Sequence, residues 1–256
     1  LTNENFTGAY LTGANLTDAD LSGATLTNAD LYGAILSDAN LTNADLSGAS
    51  LNDASLNNTN LSYANFTGAN LTGANLTGAN LNNANLSYAT LTDANLDAAI
   101  NFNTTILDHV ISGGFFFNMT TVTSYPSGWT FITSGTDSFL VGPLANLSDA
   151  NLSSADLANA NLSGATLTNA FLDGAILSHA NLTNANLSGA YLNIALLNNA
   201  SIIQLYTKTG VKGDDVSIKG YQAVYPPNFQ GTIGLDGGKN YYSSRIGGKF
   251  AFKFLK

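Results

Sequence analysis

Cysteine is absent from this chain, which removes disulfides, thiolate metal sites and cysteine nucleophiles. Charge is scarce: only 10% of the 256 residues are Asp, Glu, Lys or Arg, against roughly 25% in an average globular protein. The polar surface must therefore be Asn, Ser and Thr, a coat commoner outside cells than in the cytoplasm. Cations are missing altogether from Leu1 to Thr207; all eight (Lys208, Lys212, Lys219, Lys239, Arg245, Lys249, Lys253 and Lys256) lie in the tail. There only Asp214, Asp215 and Asp236 oppose them. The net charge of −9 thus hides an anionic body and a cationic tail, and such asymmetry marks an interaction surface. No apolar run approaches the roughly 20 residues of a membrane span, and no signal peptide is present. The chain nevertheless opens at Leu1 within a repeat, and its one methionine is Met119. The expectation is a secreted protein, its leader removed, that works outside the cell or at its surface.

What is present is a repeat. Leu or Phe recurs every five residues, from Phe6, Leu11 and Leu16 to Leu96, and again from Leu147 to Leu197 and Ile202. Two residues before each stands a small residue, as in Ala9, Ala14 and Ala19, with Thr59 a rare exception. A period of five suits neither regular element. On an α-helix each step of five turns by about 140°, which scatters the leucines around the axis. On a straight strand an odd repeat sends successive leucines to opposite faces. One arrangement resolves this. Leu and the small residue two before it point inward from a short strand, and the two residues after Leu turn a corner. The second of these is often Gly, Asn or Asp (Gly8, Gly13, Asp18, Asn28), the types that accept positive φ. The residue before Leu, Asn or Asp, and the residue after it, Ser or Thr, point outward.

This pattern resembles the pentapeptide-repeat family, A-(D/N)-L-(S/T)-x, with a close match from Ala69-Asn70-Leu71-Thr72-Gly73 to Ala79-Asn80-Leu81. The resemblance implies an all-β fold, a right-handed quadrilateral β-helix with four pentapeptides per coil. The number of sides comes from the family, not from the period. Four regions are expected: a first block over 1–107, a connector over 108–143, a second block over 144–202, and a β-rich basic and aromatic tail over 203–256. The register slips near Ala98–Phe102 and limps through Phe102 and Leu107.

Within the connector, Thr130–Thr133 and Phe139–Val141 flank Ser134-Gly135-Thr136-Asp137 and predict a β-hairpin. Its expected role is to cover the flank or end of the first barrel. Together with Trp129 and Pro143 the segment resembles the spacer of multi-block bacterial, notably cyanobacterial, members. In the tail, Thr232–Leu235, Tyr241–Ile246 and Lys249–Leu255 read as strands, joined at Asp236-Gly237-Gly238 and Gly247-Gly248. The last alternates Phe250, Phe252 and Phe254 with Lys249, Ala251 and Lys253. Such a strand suits either pairing with an exposed sheet edge or an ordinary edge position guarded by lysines.

Catalytic patterns are missing. His109 is read as opening the connector and His179 as an exposed corner, and neither has a sequence neighbour that suggests a triad or a metal site. Asp214-Asp215 reads as a solvated turn. The expectation is a protein without enzymatic activity, cofactor or metal. A solenoid has two ends with unpaired strand edges, and head-to-tail contact between copies gives an open filament. The leading expectation is therefore an extracellular structural subunit, a homo-oligomer or head-to-tail homopolymer that builds a filament or surface layer, without nucleic acid or membrane span. Its interface comprises Leu1, Glu4, Phe6, Asp18 and Asp20 at one end and Lys249, Phe250, Phe252, Lys253, Phe254 and Lys256 at the other. The alternatives are a surface module that binds glycan, ice or another protein, and a DNA mimic that inhibits a topoisomerase. The stretch from Ala54 to Thr92 holds no acid, which speaks against the mimic.

Overall fold

The computed structural model describes residues 1–113, 122, 124–192, 195–197 and 200, and beyond them the backbone of three strands. The chain divides into two compact units, Leu1–Ser127 and Gly128–Lys256.

In the first unit each corner is a β-turn. The Ala9 N–H donates to the Phe6 carbonyl (2.9 Å), and the third residue of the turn, Gly8, is left-handed at φ +64. Asp18 and Asn28 stand in the same place at φ 56, as Asx residues can. Between corners the strand is short. The Phe6 N–H donates to the Thr25 carbonyl (2.7 Å), and the Thr25 N–H donates back to the Glu4 carbonyl (2.9 Å). The corners are tied as well, with Gly8 N–H to the Thr27 carbonyl at 2.9 Å. Parallel bridges then join residues 20 apart, Asn5↔Thr25, Tyr10↔Asp30, Asn15↔Ile35 and Asp20↔Asn40, and so on through the block. Four pentapeptides make one coil.

The inward positions are sealed from Leu21 onward: Ala24, Leu26, Leu51, Ala74 and Leu86 are all 0% exposed. Thr59, also 0% exposed, replaces an alanine without leaving its hydroxyl unpaired, because it donates to the Leu36 carbonyl at 2.8 Å. Thr105 does the same toward Leu81 at 3.1 Å.

The register slip is a one-residue insertion. Asn101 (φ 58) is added, a 3-10 turn follows over Phe102–Thr104, and buried Phe102 takes the inward place. Its ring meets Tyr125 edge-on at 6.1 Å. Bridges thereafter span 21 residues, Asn85↔Ile106 and Thr90↔Ile111, so pairing in this block continues to Ile111.

The second unit opens with a hairpin, β1 (Thr130–Ser134) antiparallel to β2 (Asp137–Val141), closed by Gly135-Thr136. Gly135 has φ +62, as the first central position of a type II′ turn requires. The hairpin's surroundings correct the expectation that it covers the first barrel. Ile132, Phe139 and Val141 join one core with Ala145, Leu147 and Leu152 of the second block, and Trp129 packs against that core. The Ser134 hydroxyl donates to the Ser153 carbonyl at 2.8 Å. The coils beneath repeat the 20-residue bridge from Asn146↔Thr166 to Ile176↔Leu196. Strands β3 (Thr232–Leu235), β4 (Lys239–Ile246) and β5 (Lys249–Phe254) form an antiparallel meander in that order. The glycine turns expected between them, and Asp214-Asp215, lie outside the described residues.

Candidate functional site

The outward coat is more ordered than its composition suggests. Asn5 Oδ1 accepts from both the N–H (2.9 Å) and the hydroxyl (2.7 Å) of Thr7. The same Asx turn recurs at Asn15 with Thr17, Asn40 with Thr42, and Asn70 with Thr72. The Asn-Leu-Thr spacing is thus a local backbone lock. Side chains also bond from coil to coil, Asn40 Nδ2 to Asp20 at 3.1 Å and Asn65 Nδ2 to Asp45 at 2.9 Å. The signal lies in the Asn-Leu-Thr motif itself, whose outward pair bonds within one turn.

The five residues expected at one end of an assembly share the first coil. Leu1 is 55% exposed, Glu4, Asp18 and Asp20 are exposed, and Phe6 is partly covered. Side-chain and backbone hydrogen bonds from Ser22 hold the Asp20 carboxyl below its ordinary range. Among the described residues the outer edge of that coil has no backbone partners. The N–H groups of Asn5, Tyr10, Asn15 and Asp20 make no backbone hydrogen bond, nor do the carbonyls of those residues and of Thr7, Thr12 and Thr17. The core is correspondingly open: Leu11, Ala14 and Leu16 are half-buried, whereas Leu31, Ala34 and Leu36 one coil on are 0% exposed.

Five of the other six fall together on β5, which is an edge strand paired with β4 through Arg245↔Phe250, Ser243↔Phe252 and Tyr241↔Phe254. Its outer edge has no partner strand among the described residues. Lys256 lies outside them.

Each histidine is a corner residue. His179 is exposed at φ 62. His109 is not the opening of a connector: at φ 57 it turns a corner of the last coil of the first block, and its ring stacks on Tyr88 at 4.6 Å and 19°. Among the described residues no three His, Asp or Glu side chains gather as metal ligands, and no helix is long and apolar enough to cross a membrane. Sequence reading also missed where outward apolar residues collect. Ile100, Ile106 and Ile111 ring the last coil of the first block, and the second block stacks Phe171 on Tyr191 (4.9 Å, 4°) beside Ile176 and Leu196.

Solid coils of four pentapeptides with a hydrogen-bonded polar coat define a solenoid scaffold. The model for pentapeptide repeats matches residues 5–43, 39–78, 64–100, 145–184 and 175–204, well over half of the sequence. The chain belongs to the pentapeptide-repeat family, and its fold is that family's right-handed β-helix. Among solved structures it is similar to HetL, a pentapeptide repeat protein of the cyanobacterium Nostoc sp. strain PCC 7120, at 32% identity over 80% of this chain and 76% of that one, with a TM-score of 0.28. Rfr23 of the cyanobacterium Cyanothece 51142 is 45% identical over 37% of this chain and 60% of its own, TM-score 0.31. QnrB1, a plasmid-mediated fluoroquinolone resistance protein, is 15% identical over 78% and 82%, TM-score 0.30. No curated protein matches the sequence.

Proposed function

We propose that this chain is a non-catalytic structural subunit that assembles head to tail outside the cell, β5 of one copy seating on the open first coil of the next. The observation that carries this reading is β5, an edge strand whose outer edge has no partner strand among the described residues and whose sequence alternates Phe250, Phe252 and Phe254 with Lys249, Ala251 and Lys253. Magnitudes decide how the contact is held. A straight strand can pair along one side of the coil, where Asn5 and Thr7 leave one N–H and two carbonyls free. Three hydrogen bonds at roughly 0.5–1.5 kcal/mol each make a modest total. A strand on that side covers Phe6, which is already partly buried, so it gains only part of the roughly 1.5–3 kcal/mol that full burial gives, and the two contributions are comparable. The Phe250, Phe252 and Phe254 repeat of β5 provides apolar partners. In this reading opposite charge between Lys249, Lys253 and Lys256 and Glu4, Asp18 and Asp20 selects which ends meet. The Asn, Ser and Thr coat and the scarcity of charge favour the extracellular setting.

Electron microscopy and light scattering of the full chain test this. Filaments are expected, and two variants should abolish them while the β-helix circular dichroism stays intact: deletion of residues 249–256, and fusion of one extra capping coil ahead of Leu1. Reversing Lys249, Lys253 and Lys256 to Glu should slow growth, a defect that high salt masks. A chain that stays monomeric at high concentration, or filaments that survive either blocking variant, overturns the reading.

A further inference from the structure

Corners of the coil are left-handed and mostly Gly, Asn or Asp, for which that backbone costs least. Tyr63 and Tyr88 stand at corners instead, each at φ 60. Bulky residues are outliers there, and such strain gathers at functional sites. Tyr88 is 58% exposed, and its ring is held against His109, the equivalent corner one coil on. The stack therefore runs along the corner and covers one face of the Tyr88 ring. Its other face looks toward the corner of the preceding coil, which is Gly68. Nothing lies within 4 Å of where a Gly68 Cβ would stand. A fixed aromatic face thus borders a notch, the corner at Gly68 that carries no side chain.

The rim of this notch is polar and uncharged. Asn70 and Thr90, bridged to each other on the adjoining side, follow Gly68 and Tyr88 by two residues. Asn70 Oδ1 is occupied by Thr72, but its Nδ2 and the Thr90 hydroxyl have no hydrogen-bond partner among the described residues. On the opposite side Asn85 Nδ2 donates to the Thr67 hydroxyl at 3.1 Å, which closes that flank. From Ala54 to Thr92 there is no charged residue.

These features select a ligand chemistry. An ionic ligand finds no counter-charge on the rim. A wholly apolar one would take the Asn70 amide and the Thr90 hydroxyl out of water without partners, at a cost. A neutral sugar ring satisfies both requirements. Its face of polarised C–H groups suits the negative face of the tyrosine ring, and its hydroxyls can pair with Asn70 as donor and Thr90 as donor or acceptor. We propose that the Tyr88–Gly68 notch binds one pyranose ring of a neutral saccharide. This site shares no residue with the first coil or β5 and does not rest on the assembly reading.

The full chain is titrated with cellotetraose, mannotetraose and galactotetraose, read by calorimetry and by saturation transfer from protein to sugar protons. At least one should bind. Tyr88→Asn restores the ordinary corner residue, so the coil should hold while affinity falls about tenfold or more. Gly68→Asn keeps a residue that accepts positive φ but fills the notch, and the same loss is expected. Tyr63→Asn should bind as the parent does. The proposal is overturned if none of the three sugars binds, if Tyr88→Asn or Gly68→Asn binds as tightly as the parent, or if Tyr63→Asn alone loses affinity.

Discussion

At the start of the first block Leu11 and Leu16 are half-buried, while at the start of the second block Leu147 and Leu152 are 1% and 0% exposed. The pentapeptides are the same in kind, so the repeat is not what seals a core. Each coil covers the inward residues of its neighbours, and an end coil is covered from one direction only. In the second block β1 and β2 take the place of the missing coil, with Ile132, Phe139 and Val141 lying in the same core as Ala145 and Leu147. Among the described residues no hairpin lies over the first coil in this way.

The largest effect should come from overfilling equivalent positions at the two entrances. Ala145 is 0% exposed and Ala14 is half-buried. Ala145→Leu has no room to relax and should cost about 1–3 kcal/mol or more. Ala14→Leu can turn its added bulk into the open end and should cost well under half of that. Thermal melts with peptide-resolved hydrogen exchange would measure both. Equal losses would mean that the two entrances are equally sealed, and the comparison would fail.

A smaller effect should follow from loosening the lid alone. A Cβ on Gly142 would stand inside the indole of Trp129, so Gly142→Ala must displace the ring from the core it partly covers. Exchange should quicken at Ala145–Leu152, with the first block unchanged. If Gly142→Ala leaves those amides as protected as before, Trp129 contributes nothing to the seal.

Much of this was readable from the letters. Period five fixed inside, outside and corner, because Leu, Ala and Gly or Asx have separate roles. The hairpin was readable too, since Ser134-Gly135-Thr136-Asp137 has the chemistry of a tight turn. Its site was not: alternation says which of Ile132, Phe139 and Val141 face a core but not whose core. The candidate site was hidden for a different reason. Counting by 20 places Asp108, not His109, over Tyr88. The single insertion at Asn101 shifts the count to 21, as Thr90↔Ile111 shows, and so brings the two rings together. Nor does a five-residue period reveal how many sides a coil has. That number resides in backbone pairing between residues far apart in sequence.

The smallest effect concerns acid, and it separates the blocks by charge rather than by packing. Burial pushes the Asp45 carboxyl up, but hydrogen bonds from Ser47, Thr27 and Asn65 outweigh it and hold the group below its ordinary 3.8. Thr27 and Asn65 come from the coils on either side, at 3.1 and 2.9 Å. Because the folded value is the lower one, ionised Asp45 stabilises the first block at pH above 3.8. That contribution fades as pH falls through the lowered value. In the second block the bridged column Asn146, Thr166 and Asn186 contains no carboxylate at all. Asp45 is only partly buried, so solvent screening keeps the effect to a fraction of about 1 kcal/mol. Asp45→Asn keeps an acceptor for Ser47, as Asn65 does for Thr67, and its Nδ2 can donate to the Thr27 hydroxyl as Asn85 does to Thr67, so the charge and its titration go while the bonded positions stay. Melts from pH 5 down to pH 2 should therefore show the parent's first block losing slightly more stability than that of the variant, with the second block indifferent to the substitution. Parallel curves for parent and variant would show that the ladder around Asp45 does not sense its charge.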